Sequence, residues 1–346
     1  MAPVLSVLDL APVSEGSSPA EALRNSIDLV QRAEALGYHR HWVAEHHNMP
    51  GIASSSPAVL LAHLASATEH IRVGSGGVML PNHAALTIAE QFGTLEALHP
   101  GRVDLGIGRA PGTDQLTARA LRRTDLSFTE DEFPSQLIEL LGYFTGAFPE
   151  GHPYRAITAT PGLGYQPALW LLGSSSYSAQ VAGVLGLPFA FAHHFAAHGT
   201  DAAVAAYRET FRPSDTLDRP YLMLGVGVVC AGTEPHARFL AGSSQLAIVR
   251  LRSGRPGRYP SPEEAAAYQY SPWEEEIARS WTATHVVGEP HQVRRQLLEL
   301  VERTGADELM LTTMVHSHQE RVRSYELVAD AFDLRLGREH AQAELS

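Results

Sequence analysis

The sequence predicts an α/β protein built as a single (β/α)8 TIM barrel, and three observations carry that prediction. Short apolar runs alternate with helix-period segments from Val4 onward, the mark of a parallel sheet with helical crossovers. Eight strand-and-helix repeats follow one another with no linker-like break, so residues 1–346 read as one domain. The glycines of Gly106-Ile107-Gly108-Arg109-Ala110-Pro111 meet only the first two positions of a dinucleotide fingerprint, which leaves a doubly wound sheet without support. The length of 346 residues suits a barrel of about 250 residues with the excess in insertions.

Val4 to Leu10 reads as the first strand. Ser18-Pro19-Ala20-Glu21 supplies an N-cap serine, a proline at the first helical position and a glutamate three residues after the cap, starting a helix that runs to Gly37. Arg40 to Glu45 is the second strand, and Ser56-Pro57 opens a helix through Thr68 whose apolar positions include Val59, Leu60, Leu61 and Leu64. Ile71 to Leu80 is the third strand and Ala84 to Leu98 its helix; Pro100-Gly101 then punctuates the chain before the fourth strand, Val103 to Gly108. Ala110 to Leu126 has no clean period, so it reads as an excursion inserted after strand four, ahead of a helix opened by the capping box Thr129-Glu130-Asp131-Glu132.

Ala168 to Leu172 is the fifth strand, Ser174 to Leu185 a helix, Pro188 to Ala192 the sixth strand, Asp201 to Phe211 a helix and Tyr221 to Cys230 the seventh strand. Arg250 to Pro262 breaks the rhythm with four arginines, two glycines and three prolines, and reads as a mobile surface loop. The helix Pro290 to Thr304, the eighth strand Glu308 to Met314 and the amphipathic helix Gln319 to Leu336 follow.

Composition removes several classes of function. All 26 basic residues are arginine, so Schiff-base chemistry on lysine is excluded. The net charge of −12, with no arginine-rich face, speaks against a nucleic-acid partner. Cys230 is the single cysteine and ends an apolar run, which suits a buried thiol and rules out a disulfide within the chain. No apolar stretch approaches the roughly 20 residues of a membrane span, and Met1 to Leu10 carries Asp9 and no basic region, unlike a secretory signal. The expectation is a cytoplasmic protein that binds no membrane.

Active sites of such barrels gather at the C-terminal ends of the strands, and four of those ends carry unusual chemistry. After strand two, Glu45-His46-His47 places a carboxylate beside two imidazoles, whose ordinary pKa near neutrality suits proton transfer. A hydrogen-bonded structural cluster is the other reading; a shared metal fits less well, because neighbours on a strand point to opposite faces. After strand three, Gly74-Ser75-Gly76-Gly77 reads either as a β-bulge or as backbone open to a flat ligand. After strand four, Gly108-Arg109 sets a guanidinium beside flexible backbone, as an anion clamp or as an ordinary ion pair. After strand five, Gly173-Ser174-Ser175-Ser176 leads into a helix, and free amides at a helix N-terminus beside serine hydroxyls make a phosphate site without a cation. Together the four ends describe a mononucleotide such as FMN, with its phosphate between Arg109 and the helix start. No metal is expected.

At these places the sequence resembles the bacterial luciferase-like flavin monooxygenase family. The resemblance rests on Trp42-Val43-Ala44-Glu45-His46-His47, on Ile71 to Pro81 and on Gly101 to Arg109, in the family's order and spacing, and is also strong from Leu169 to Phe195. It implies a reduced FMN, supplied by a separate reductase, that reacts with molecular oxygen to give a flavin hydroperoxide and so oxygenates a small organic substrate. His46 matches the family's catalytic histidine, with Glu45 and His47 beside it. Gly76 and Gly77 match a pair joined by a non-prolyl cis peptide against the flavin ring. Arg109 and Ser174 match phosphate contacts, with Ser175 and Tyr177 adjoining.

Two departures set this chain apart from luciferase proper, which has a cysteine where Gly108 stands and an acidic residue where Gly173 stands. The first speaks against light emission, and the second alters the phosphate site without abolishing it. The resemblance also implies a lid over residues 250–284, whose Arg250, Arg252, Arg255 and Arg258 read either as receivers of an acidic substrate or as solvated loop residues. It implies a homodimer through the helices after strands two and three. Deazaflavin-dependent hydride transfer and non-catalytic flavin binding are the competing functions.

Overall fold

The alternation of strands and helices closes into a ring of eight parallel strands. The computed structural model of the protein describes residues 3–110, 112–122 and 133–334. In chain order the first half comprises β1 (Val4–Asp9), α1 (Pro19–Leu36), β2 (Arg40–Val43), α2 (Pro57–Ser66), β3 (Arg72–Met79), α3 (Ala85–Leu98), β4 (Val103–Gly108), α4 (Gln115–Arg122), α5 (Phe133–Thr145) and β5 (Ala168–Gly173). It continues with α6 (Ser176–Leu185), β6 (Phe189–Phe191), α7 (His193–Ala196), α8 (Thr200–Thr210), β7 (Leu222–Cys230), α9 (Glu234–Arg252), α10 (Pro262–Ala267), α11 (Pro272–Thr282), β8 (His285–Gly288), α12 (Pro290–Thr304), β9 (Glu308–Thr312) and α13 (His318–Ala331). The ring runs β1-β2-β3-β4-β5-β6-β7-β9 and returns to β1.

Local sequence explains the element ends. Ser18 caps α1 by accepting from the amide of Glu21 at 3.2 Å, Pro19 fills the first turn, and Gly37 leaves the helix at φ 91. The Glu21 carboxylate bonds the Ser17 hydroxyl at 3.0 Å rather than closing a reciprocal box.

Three expectations need correction. The second strand ends at Val43; the Ala44 amide still bonds the Asp9 carbonyl at 3.2 Å, after which the chain turns away, so Glu45-His46-His47 lie in a loop. Residues 234–252 form α9, which takes Arg250 and Arg252 out of the expected loop; the apolar period across Ala237, Leu240, Ala241 and Leu246 that buries this helix is its signal. A ninth strand, β8, pairs outside the ring with the far end of β7, Gly227 opposite His285. The strand that closes the ring is therefore β9, expected as the eighth. The capping box Thr129 to Glu132 and the tail of the last expected helix, beyond 334, lie outside the described residues. Among the described residues no helix is long and apolar enough to cross a membrane.

The period of two along each strand sorts the interior into layers. The lowest is charged. Arg40 on β2 donates to Asp104 on β4 and to Glu308 on β9, each at 2.8 Å, and Glu308 also accepts from Ser6 on β1 and from Tyr221 at 3.0 Å. Arg72 on β3 adds a second guanidinium to Asp104, with Nε at 2.9 Å and Nη2 at 2.6 Å. Burial alone would favour loss of the Arg40 proton, but the two carboxylates hold its pKa above the ordinary value, so it is a cation. Two residues further along the strands comes an apolar layer of Leu8, Trp42, Trp170, Met223 and Met310, joined to the layer below by the Trp42 indole donating to Asp104 at 2.9 Å and by Arg40 lying 4.8 Å from the Trp170 ring centroid. The larger core lies outside the barrel wall, between strands and helices.

Asp104 neutralises two guanidiniums and anchors the indole, so Asp104→Asn should destabilise the fold by about 3–5 kcal/mol, the cost of breaking a buried pair. Urea unfolding read by tryptophan fluorescence measures this; a loss below about 1 kcal/mol would mean that the layer does not hold the barrel.

Candidate active site

The next step up the strands opens a cavity of about 260 Å³ at the C-terminal mouth, floored by Leu8, Trp42, Met223 and Met310. Seven residues expected from sequence line it: His46, Gly76, Gly108, Arg109, Gly173, Ser174 and Ser175. Glu45, His47, Gly77 and Tyr177 are not among the lining residues.

Glu45 is fully buried and acts as a hub rather than as a group facing the cavity. Its carboxylate accepts from His47 Nε2 at 2.9 Å, His83 Nε2 at 2.9 Å, Asn82 at 3.2 Å and the Met79 amide at 3.0 Å. Burial pushes its pKa up, but the hydrogen bonds and charge of His83 and the bonds from His47 and Met79 outweigh this and hold it below the ordinary carboxylate range. Glu45 thus ties the loop after β2 to the turn after β3 and holds His47 beside it, and neither side chain lines the cavity. His46 alone of the three reaches the cavity. Its Nδ1 lies 3.4 Å from the Gly112 carbonyl, which selects the tautomer with the proton on Nδ1 and leaves Nε2 as an acceptor. Burial lowers its pKa, so the ring is neutral at neutral pH.

The glycine-rich end of β3 carries the bulge that the sequence allowed. Its register with β4 slips between Gly76 and Val78, a bulge, and the Gly76–Gly77 peptide is cis. A Cβ on Gly76 would sit 2.8 Å from Leu8 and 3.1 Å from Trp42, so only glycine leaves the cavity floor open. The two departures from luciferase also have physical reasons. A side chain at Gly108 would meet Met79 Sδ at 2.7 Å, and one at Gly173 would meet Ser178 Cβ at 2.7 Å.

At the other end of the cavity, Ser175 occupies the N-cap of α6 without using its hydroxyl to cap, and Ser174 and Ser175 are exposed. Arg109, Ser174 and Ser175 line one cavity, and the Arg109 guanidinium lies 4.5 Å from the ring centroid of Tyr177 in the first turn of α6.

Sequence reasoning missed the wall contributed after β6 and β7. His194, on the short α7, lines the cavity, and His285, at the start of β8, packs beside Gly227. The rule that picked His46 would have found His194, which also stands just past a strand end; His285 had no such signal, because β8 was not expected. Burial pushes both imidazoles down to about 4. None of the four arginines in 250–258 lines this cavity. Arg250 pairs with Glu15 at 3.3 Å and with Glu264, Arg255 with Glu274 at 3.5 Å, and Arg258 donates to the Ser17 carbonyl at 2.8 Å.

A histidine, glycines, an arginine and the start of α6 thus gather at the mouth of a parallel barrel, and comparison with known proteins gives the family. The family model described as luciferase-like monooxygenase matches residues 4–308, and the chain belongs to that family. It is 47% identical over 332 residues to the luciferase-like monooxygenase of Escherichia coli (strain K12), covering 96% of this chain and 98% of that protein. It is 35% identical over 331 residues to N-acetyl-S-alkylcysteine monooxygenase of Bacillus subtilis (strain 168), covering 94% and 97%. The structure of apo-MsnO8 matches with TM-score 0.87 at 40% identity, covering 96% of this chain and 99% of that one. At lower identity the fold alone is shared. The oxygenating constituent of 3,6-diketocamphane monooxygenase from Pseudomonas putida, in complex with FMN, matches with TM-score 0.69 at 18% identity over 95% and 97% of the two chains. An F420-dependent secondary alcohol dehydrogenase matches with TM-score 0.70 at 13% identity over 96% and 99%.

The two depressed histidines set a pH dependence. In the unfolded chain they protonate near 6.5, whereas in the folded protein they do so only at about 4. The unfolded state therefore binds more protons between these values, and stability, complete above 6.5, falls as pH falls. Between pH 6.5 and 5, above the carboxylate range, each should cost roughly 1–2 kcal/mol. Denaturation at a series of pH values should show this loss, and His285→Asn should flatten it; an equal slope in the variant would contradict the assignment.

Proposed function

We propose that the protein is a flavin-dependent monooxygenase that binds reduced FMN at the barrel mouth and uses molecular oxygen to oxygenate a small organic substrate. The observation that carries this is the polarity of one cavity. An anion clamp without lysine lies at one end, a neutral histidine stands toward the other, and the glycine floor between them is one that a Cβ would fill. The residues fit FMN. Arg109, Ser174, Ser175 and the first amides of α6 would hold its phosphate, and the Gly76 floor would let a flat ring approach the backbone. Reduced FMN, when bound, supplies the electrons that activate oxygen for transfer to the substrate.

The chain's own residues do the rest. His46 Nε2, kept unprotonated by burial and oriented through Gly112, takes or returns a proton beside the ring. Glu45 keeps His47, His83 and the Met79 amide in place beside that histidine. Residues 250–284 serve as a lid that excludes water. The absence of a nicotinamide fingerprint supports a separate reductase as the source of reduced flavin. Val59 on α2 and Leu98 on α3, 65% and 68% exposed, support those helices as the contact of a homodimer.

His46→Ala should retain FMN while losing turnover by about 10²-fold or more, and Arg109→Ala should weaken FMN binding at least about tenfold, the worth of a charge-assisted contact. Flavin fluorescence titration and oxygen uptake with reduced FMN measure the two effects, and the reverse pattern would overturn the roles. Mass spectrometry of the retained cofactor separates FMN from a deazaflavin, which would end the FMN reading. Oxygen uptake that responds to no substrate would point to a non-catalytic flavin binder.

A further inference from the structure

The inward face of β7 carries two glycines in alternate positions, Gly225 and Gly227, and each is covered by an imidazole from a different element. A Cβ at Gly225 would stand 2.8 Å from His194 Nδ1, and one at Gly227 would stand 2.0 Å from His285 Cδ2. Side chains missing from the strand are thus replaced by rings brought in from α7 and β8. His285 is committed to its own surroundings, with Nδ1 on the Trp281 carbonyl at 2.8 Å and its ring 4.5 Å from the Trp281 ring.

His194 is held differently. Its Nδ1 lies 3.2 Å from the Gly225 carbonyl, which accepts and cannot donate, so the proton sits on Nδ1 and Nε2 carries a lone pair. Among the described residues no hydrogen-bond partner engages that Nε2, and the ring lines the cavity. Burial depresses its pKa to about 4, which keeps the lone pair available at neutral pH. In the eight-strand ring, β6 stands diametrically opposite β2, so His194 faces His46 across the mouth. The other polar side chains of the lining gather with Arg109 at the anion end, and the floor is apolar.

We propose that His194 is a ligand-contacting hydrogen-bond acceptor that selects an uncharged ligand group carrying an N–H or O–H donor. The donor has two possible sources, the flavin ring or the substrate, and one experiment separates them. In the first arm, Kd is measured for FMN and for N3-methyl-FMN. In the second, Kd is measured for 2-naphthol and for 2-methoxynaphthalene. The wild type should prefer the donor-bearing member by about tenfold in at least one arm, the worth of one hydrogen bond in a closed site. His194→Asn keeps a donor for Gly225 but has no acceptor at the Nε2 position, so it should bring that ratio to about one. His194→Gln, whose amide reaches that position, should restore part of it. If His194→Asn does not fold, His194→Phe, which keeps the ring and removes both nitrogens, should give the same collapse.

The flavin arm rests on the FMN reading. A wild type that does not bind FMN defeats that reading, whereas the naphthol pair still tests His194. A wild type that discriminates in neither arm, or a ratio unchanged in His194→Asn, overturns the proposal.

Discussion

Arg40 is gripped from two sides inside the barrel, by Asp104 on β4 and Glu308 on β9, and everything above it is placed by that grip. Two carboxylates and two guanidiniums share the layer, since Arg72 also reaches Asp104. None of the four is left without an opposite charge, and the spare capacity goes to Ser6, Tyr221 and the Trp42 indole. These bonds tie five strands of the ring together and fix the plane of Trp42. Removing a single partner would leave an uncompensated charge in a buried place, so the layer behaves as a unit.

Alternation along the strands then builds upward. Trp42 meets Trp170 edge-on at 5.2 Å, and together with Leu8, Met223 and Met310 they seal the barrel. The same alternation puts Gly76, Gly108 and Gly225 one step above that seal, where missing side chains become volume. What enters the volume from the loops is polar and sparse. His46 comes from the loop after β2, Arg109 from the end of β4, the serines from the start of α6 and His194 from the element after β6. The mouth is thus an apolar chamber with an arginine and serines at one end and imidazoles from the elements after β2 and β6.

The barrel, and the gathering of Arg109, Ser174 and Ser175 at one cavity, were legible in the sequence because both depend on local pattern. Apolar runs, capping serines and a glycine before a serine-rich helix start are signals within a few residues of each other. That Glu45 lies behind the cavity while His46 lines it was not legible from the triplet, because β2 stops at Val43 and all three residues fall in the loop after it. Glu45 becomes a hub only because Asn82 and His83, nearly forty positions away, arrive beside it. The choice between the two readings of Arg250, Arg255 and Arg258 also depended on distant residues, because the partners Glu15, Glu264, Glu274 and Ser17 are folded against them. His285 was hidden by the unexpected β8.

If one ligand spans this chamber, with its phosphate on α6 and Arg109 and its ring over Gly76, a crystal structure of the protein soaked with FMN shows it directly. Phosphate oxygens are expected within hydrogen-bond distance of Arg109, Ser174 or Ser175 and the first amides of α6, with the isoalloxazine ring between the Gly76 backbone and the His46–His194 mouth. Phosphate density anywhere else, or a ring lying outside the barrel mouth, would contradict it.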